Sequence, residues 1–312
     1  MSIFRIGAPV ALLALAACNG GVGGNNSTAA VGGDAEAVTE AGSQESAKLA
    51  AYTQAYNKLI GTFGLTETAK RYEDAEVSEK TGSSNVSITD GWVSQGRDAL
   101  NKAIESPGDL GKADAAAKAL RDTLDPLLKR LDALKIYYDS KAYKDDALAR
   151  GKAEDAPMRA DFTRALDALH AFDAQITILQ RARDEKMIAE FKAKGDLLSF
   201  NSKTALRQAE DLVNLFNKPE NLKDPAVIAK GNAQITVLEK TLSDLRAETE
   251  KAKASGGDAD RTRSLIYHGQ VADYLTSLVG KYRELREDGD ADDRNSMIDY
   301  YNRAIDAANN LN

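Results

Sequence analysis

The chain has 312 residues, of which 43% are apolar and 29% are charged, and its formal net charge is −7. This length is sufficient for a buried hydrophobic core, and the composition is that of an ordinary globular protein. The acidic balance disfavours binding to the phosphate backbone of nucleic acids, which requires basic surfaces, so no nucleic-acid partner is expected. Prolines are few and strand-like alternation is scarce, so the composition favours helices.

The first residues are typical of a bacterial export signal. Arg5 precedes an apolar run over residues 8–17, which is too short to span a bilayer and matches the core of a signal peptide over residues 1–17. The run ends in Leu-Ala-Ala-Cys at 15–18, which resembles the lipobox of bacterial lipoproteins. The resemblance implies cleavage before Cys18 and attachment of a diacylglycerol to its thiol, so the membrane is an expected partner through this lipid.

Cys18 is the only cysteine of the chain, and it stands where a lipobox requires one. The alternative is an ordinary secretory signal peptide with a coincidental cysteine. Asn19 follows the cysteine, and by resemblance to lipoprotein sorting in enteric bacteria a residue other than Asp favours the outer membrane. We therefore expect a lipid-anchored protein of the cell envelope that faces the periplasm.

The rest of the chain divides into a tether and a helical domain. Residues 18–45 are dominated by small and polar residues without periodicity, which predicts a flexible tether. From Ser46 onward apolar residues recur at helical spacing, so we predict one helical domain over 46–312. The predicted fold class is all-α, with long antiparallel helices in an elongated helical bundle, preceded by the signal peptide and the tether.

The strongest helical pattern lies in residues 120–152. A stripe of apolar side chains repeats there at steps of four and three residues, which is typical of an amphipathic helix. Its members are Leu120, Leu124, Leu127, Leu131, Leu134 and Tyr138. Pro126 removes a backbone donor within this segment and predicts a kink or a restart of the helix.

Weaker stripes predict the remaining helices. A first helix starts near Ser46 and carries an apolar stripe through Phe63, and a short one follows the loop 81–91. Trp92 is interpreted as a core anchor of that short helix. Later stripes predict helices that start near residue 156, cover 198–216, end before the loop 255–258, end near 287 and include 298–308.

A cluster of tyrosines and charges at the end of the strongest helix is the candidate ligand or partner patch. It consists of Tyr137, Tyr138, Lys141, Tyr143, Lys144 and Asp145. In the functional interpretation, the aromatic faces stack on a ligand while the lysines bind an anionic group. In the structural alternative, the tyrosines pack on neighbouring helices and the charges are solvated.

No cofactor, metal site or catalytic residue is predicted. The two histidines, His170 and His268, lack the spacing of a metal-binding pair, and His268 lies near an apolar stripe as a core histidine does. Neither a nucleophile elbow nor a phosphate-binding loop is found in the sequence. The chain is therefore not expected to be an enzyme.

Several motifs together resemble one family. They are the tyrosine cluster at 137–146, the Tyr-Asn pairs at 56–57 and 301–302, the Leu-x-Pro-Leu of residues 124–127 and the lipobox. In these the chain resembles the YiiG-like family of bacterial lipoproteins, over roughly residues 49–311. The resemblance implies an all-helical domain and brings no known activity.

Two function classes follow from these observations. The first is a non-enzymatic binding or interaction module whose partner is an unknown envelope protein, and it predicts an exposed apolar or aromatic patch. The alternative is an envelope solute-binding or stress protein with a small ligand held between helices. That alternative predicts an enclosed cavity lined by Tyr138 or Tyr143.

Overall fold

The computed structural model describes residues 33–81 and 86–311. Within these ranges the protein consists of α-helices, short 3₁₀ turns and loops without a strand, which confirms the predicted all-α class. The α-helices are α1 (Gly33–Ile60), α2 (Leu65–Asp74), α3 (Val93–Glu105), α4 (Lys112–Asp139), α5 (Ala149–Lys194), α6 (Leu197–Leu215), α7 (Pro225–Ala254), α8 (Ala259–Asp288) and α9 (Ala291–Asn309). The expected signal peptide, Cys18 and residues 18–32 of the expected tether lie outside the described residues.

The described helices form two compact units, which we call the N-terminal unit (residues 33–180) and the C-terminal unit (residues 181–311). The division falls within α5. The sequence predicts one helical domain over 46–312. Apolar periodicity is local, so it does not indicate which helices share a core.

Two helix boundaries at the start of the chain differ from the prediction. Helix α1 begins at Gly33 rather than near Ser46, because the residues between them include many alanines and glutamates, which are strong helix formers. The chain turns after Ile60, and Gly64 allows this turn because a Cβ there would lie 2.3 Å from the carbonyl oxygen of Leu59. Helix α2 is consequently separate from α1.

Helix α4 also differs from the prediction, since it continues through Pro126 without a restart and ends at Asp139. The buried leucines on both sides of the proline hold the helix against its neighbours, and packing outweighs the loss of one backbone donor. Lys141 then adopts a left-handed backbone conformation with φ of 60° and ends the helical path. Helix α5 begins at Ala149, earlier than the predicted start near residue 156.

The core of the N-terminal unit is organised around α4. Its five stripe leucines, Leu120, Leu124, Leu127, Leu131 and Leu134, are each at most 1% exposed. Helix α3 packs between α4 and α1, and α2 packs on α1. The ring of Tyr52 on α1 meets Phe172 on α5 edge to face at 5.3 Å between centroids, so α5 also contributes to this core.

The C-terminal unit is a bundle of α6, α7, α8 and α9. Short connections join α7 to α8 and α8 to α9, so these neighbours run antiparallel, and α6 packs on all three. The predicted seam of α7, which includes Leu238, Leu242 and Leu245, is buried in the shared core. Phe216 and Tyr282 pack within it at 5.6 Å between ring centroids.

A close contact between α7 and α8 depends on a glycine. The Tyr282 hydroxyl on α8 shares its single proton between two acceptors, the Ile228 carbonyl oxygen at 2.9 Å and Asn232 Oδ1 at 3.0 Å. A Cβ on Gly231 would lie 2.7 Å from Cε2 of the Tyr282 ring. Because both hydrogen bonds hold the ring in place, only glycine fits at this position.

We expect Gly231→Ala to destabilise the protein by about 1–3 kcal/mol, because the added methyl group overpacks a well-filled contact. Gly280→Ala on α8 is the matched control, since no atom lies within 4 Å of a Cβ there. That control should stabilise its helix by up to about 1 kcal/mol through helix propensity. Urea denaturation measures both changes, and a stabilising Gly231→Ala would contradict the contact.

Candidate functional site

The three tyrosines of the predicted patch are buried. Tyr137, Tyr138 and Tyr143 are each at most 4% exposed. The Tyr137 and Tyr138 rings meet edge to face at 5.0 Å, and Tyr143 lies 6.1 Å from Tyr138 between ring centroids. The aromatic faces are therefore covered by one another and by the helices around them, and they do not form an open stacking surface.

The Tyr137 hydroxyl ties the end of α4 to the start of α5. It donates a hydrogen bond to Asp146 Oδ1 at 2.7 Å, and the guanidinium of Arg150 lies 5.3 Å above its ring. Burial and this hydrogen bond raise the pKa of Tyr137 to about 12. Asp146 also accepts from the backbone N–H of Arg150, at the positive end of α5. The tyrosine thus fixes the helix connection.

The charged members of the patch lie at the surface. Lys141, Lys144 and Asp145 are exposed in the connection between α4 and α5. The structure therefore separates the patch into a buried aromatic part and a solvated charged part. Lys141 follows the C-terminal end of α4 in the left-handed conformation, where glycine is the usual residue.

A buried carboxylate lies beneath the tyrosine cluster. Asp155 on α5 is 4% exposed, accepts a hydrogen bond from the Ser78 hydroxyl and pairs with Arg159 Nε at 3.2 Å. The buried carboxylate is therefore paired with a guanidinium whose side chain is partly exposed. The neighbouring Tyr138 hydroxyl has no hydrogen-bond partner among the described residues and lies against Gly151, where a side chain would collide with it.

The main exposed aromatic surface of the N-terminal unit is a pair that the sequence analysis missed. Trp92 was interpreted as a core anchor, which is wrong, because its side chain is 49% exposed. Phe63 is 39% exposed, and the two rings meet edge to face at 5.9 Å. The sequence does contain a signal for their exposure, because Gly64 follows Phe63 and Gly91 precedes Trp92, and glycines of this kind are typical of surface loops.

Backbone contacts hold this aromatic pair in place. The Phe63 carbonyl accepts hydrogen bonds from the Trp92 N–H, at 3.0 Å, and from the Thr68 hydroxyl, at 3.3 Å. Gly91 permits the close approach, because a Cβ there would lie 2.5 Å from that carbonyl oxygen. The guanidinium of Arg71 lies 4.6 Å from the centre of the Phe63 ring.

In the C-terminal unit, His268 is buried at 3% exposure, as expected of a core histidine. Its Nδ1 lies 2.7 Å from the Ser202 hydroxyl, which is also buried. Burial lowers the pKa of His268 to about 4, so the ring is neutral at physiological pH. The pair joins α6 to α8 within the core.

Among the described residues, no group of three or more His, Cys, Asp and Glu side chains is arranged to hold a metal ion. No helix within the described ranges combines the length and the apolar character needed to cross a membrane.

Fold and site together define an all-α protein of two helical units, with a buried tyrosine cluster and an exposed aromatic pair in the N-terminal unit. A family model described as protein of unknown function, DUF3829, matches residues 43–310, and the chain belongs to this family. Comparison with curated proteins and with solved structures finds no match.

We expect Lys141→Gly to stabilise the protein by about 0.5–1 kcal/mol, because it removes the strain of a side chain in the left-handed region. Lys144→Gly is the matched control in the same connection, where the backbone φ is not positive. The control should be destabilising because glycine loses more conformational entropy on folding. Thermal and urea denaturation compare the two variants, and equal effects would contradict the role of the left-handed conformation.

Acid should destabilise the fold through His268. Because its pKa is lower in the folded state, the unfolded chain binds the proton first as the pH falls below about 6.5, and stability is lost from there down to about pH 4. The expected contribution at pH 5, relative to pH 7.5, is about 2 kcal/mol.

His268→Gln should remove this part of the pH dependence, while the exposed His170→Gln should retain it. Urea denaturation at both pH values measures the difference between each variant and the wild type, so the titration of carboxylates cancels. A pH dependence that is the same in His268→Gln and the wild type would contradict the assignment.

Proposed function

We propose that the protein is a lipid-anchored component of the cell envelope that acts as a non-enzymatic binding or interaction module. The observation that carries the anchoring is the sequence at 15–18, where the only cysteine of the chain follows a small-residue site at the end of an apolar run. The mature chain would begin at Cys18 and carry acyl groups there. Asn19 favours retention at the outer membrane, with the helical units in the periplasm.

The family match supports the same arrangement of the chain. It begins at residue 43, within α1, so residues 19–32 between Cys18 and this helix are available as a spacer. Within the DUF3829 family we place the chain with the YiiG-like bacterial lipoproteins. The motifs at 56–57, 137–146 and 301–302, together with the lipobox, support this finer assignment.

The exposed aromatic pair is the reason to prefer an interaction module over a solute-binding protein. An exposed pair of large aromatic side chains is a common feature of contact surfaces. A ligand pocket near Tyr138 and Tyr143 would require those rings to face a cavity, whereas they pack on each other and on Gly151. The preferred binding surface is therefore the one formed by Phe63 and Trp92.

We expect Cys18→Ser to abolish acylation and to release the protein from the membrane fraction. Mass spectrometry of the mature N-terminal peptide measures the acyl mass, and detergent phase partition measures the anchoring. A Ser27→Ala variant in the expected tether is the control and should remain acylated. A wild-type chain that retains Met1, or whose Cys18 carries no lipid when it is made in a bacterial host, would contradict the proposal.

A further inference from the structure

We propose that Phe63 and Trp92 form a second membrane contact, which inserts into the interfacial region of the phospholipid bilayer that holds the anchor. This inference rests on the proposed lipid anchor at Cys18. It deepens the proposed function, because it names a lipid surface rather than a protein as what the preferred binding surface of Phe63 and Trp92 contacts.

The first support is that the backbone of Phe63 is strained and that hydrogen bonds hold it in place. Phe63 has a φ of 65°, a left-handed conformation that costs a bulky residue about 1–3 kcal/mol. Glycine would adopt it without that strain, and Gly61 and Gly64 stand on either side. A side chain that is both strained and 39% exposed is not explained by packing in the core. Its backbone carbonyl is also held by two hydrogen bonds.

The second support is the chemistry of the surface. Tryptophan and other amphipathic aromatic side chains are favoured where a bilayer meets water. Arg71, the cation over the Phe63 ring, pairs with Glu67 at 2.9 Å, so its charge is balanced. An aromatic surface with a balanced cation suits the zwitterionic headgroup region of a phospholipid bilayer.

The third support is the size of the patch. The exposed parts of Phe63 and Trp92 together offer roughly 200 Å², from side chains that bury at most about 250 Å² each. A stable protein interface needs about 800 Å² from each partner. A bilayer contact needs far less, because the covalent anchor already provides a high local concentration of the surface.

The fourth support is the length of chain between the anchor and the patch. Residues 19–32 separate Cys18 from the start of α1 and span at most about 50 Å when extended. Helix α1 has 28 residues and is about 42 Å long. Phe63 follows directly after its C-terminal end. The anchor and the aromatic pair can therefore reach the same bilayer when α1 lies along the surface.

Trp92 is the only tryptophan of the chain, so its fluorescence reports on this surface without labelling. The lipidated full-length protein is reconstituted into phosphatidylcholine vesicles, with or without bromine on the acyl chains. We expect Trp92 emission to shift to the blue on reconstitution and to be at least twofold weaker in the brominated vesicles. Aqueous iodide should quench it less than in the Cys18→Ser chain without vesicles.

Phe63→Gly removes one ring and keeps the left-handed backbone, so the fold is retained. This variant should lower the quenching by brominated lipid at least twofold. Ile136→Ala is the matched control, because it removes an apolar side chain that is 70% exposed elsewhere in the same unit. The control should leave the quenching unchanged, and circular dichroism verifies that both variants are helical.

A second arm separates this inference from the proposed anchor. The single thiol of Cys18 is coupled chemically to maleimide-bearing lipid in the same vesicles, so the contact is measured even if no natural acylation occurs. Anchored protein whose Trp92 remains open to iodide and unaffected by brominated lipid would overturn the membrane contact. If Trp92 is quenched neither by iodide nor by brominated lipid and the protein self-associates, the surface contacts a protein and the membrane contact is overturned.

Discussion

Burial of continuous apolar seams along long helices is the interaction on which both units depend. In the N-terminal unit, α4 presents leucines at steps of three and four, and these are removed from water almost completely. Each such side chain contributes about 1.5–3 kcal/mol through burial. In the C-terminal unit, the apolar seam of α7 is buried in the same way against α6 and α8. Helix propensity alone would not hold these segments, because isolated helices are marginal in water.

Several charged groups inside these seams are paired with groups of opposite charge. Lys48 on α1 is 5% exposed and pairs with Asp114 on α4 at 3.0 Å. Burial acts to raise the pKa of Asp114, but hydrogen bonds from Tyr52, the Leu110 N–H and Lys48 outweigh it and lower that pKa. Asp161, at 2% exposure, is similarly bound by Arg130 and Arg164. Such pairs contribute little net stability. The Lys48–Asp114 pair joins α1 to α4, and the Arg130–Asp161 pair joins α4 to α5.

The aromatic residues divide into two groups with different physical roles. The tyrosines of the predicted patch, together with Tyr282, pack against glycines or one another. The hydroxyl groups of Tyr137 and Tyr282 also donate hydrogen bonds to neighbouring segments. Phe63 and Trp92 instead remain at the surface, where Phe63 has a strained backbone and the Trp92 N–H donates a hydrogen bond to its carbonyl. The first group stabilises the fold, whereas the second is available for contact with another surface. Anchoring through Cys18 would hold the surface formed by Phe63 and Trp92 close to a bilayer.

The helical class, the span of α6, the ends of α7 and α8 and the burial of His268 could be predicted from the sequence, because they follow from local periodicity and turn residues. Helix packing set the continuity of α4 through Pro126 and the exposure of Trp92. It also decided the pairing of Ser202 with His268, which are 66 residues apart. Such contacts depend on which helices share a core, and no local pattern encodes that choice.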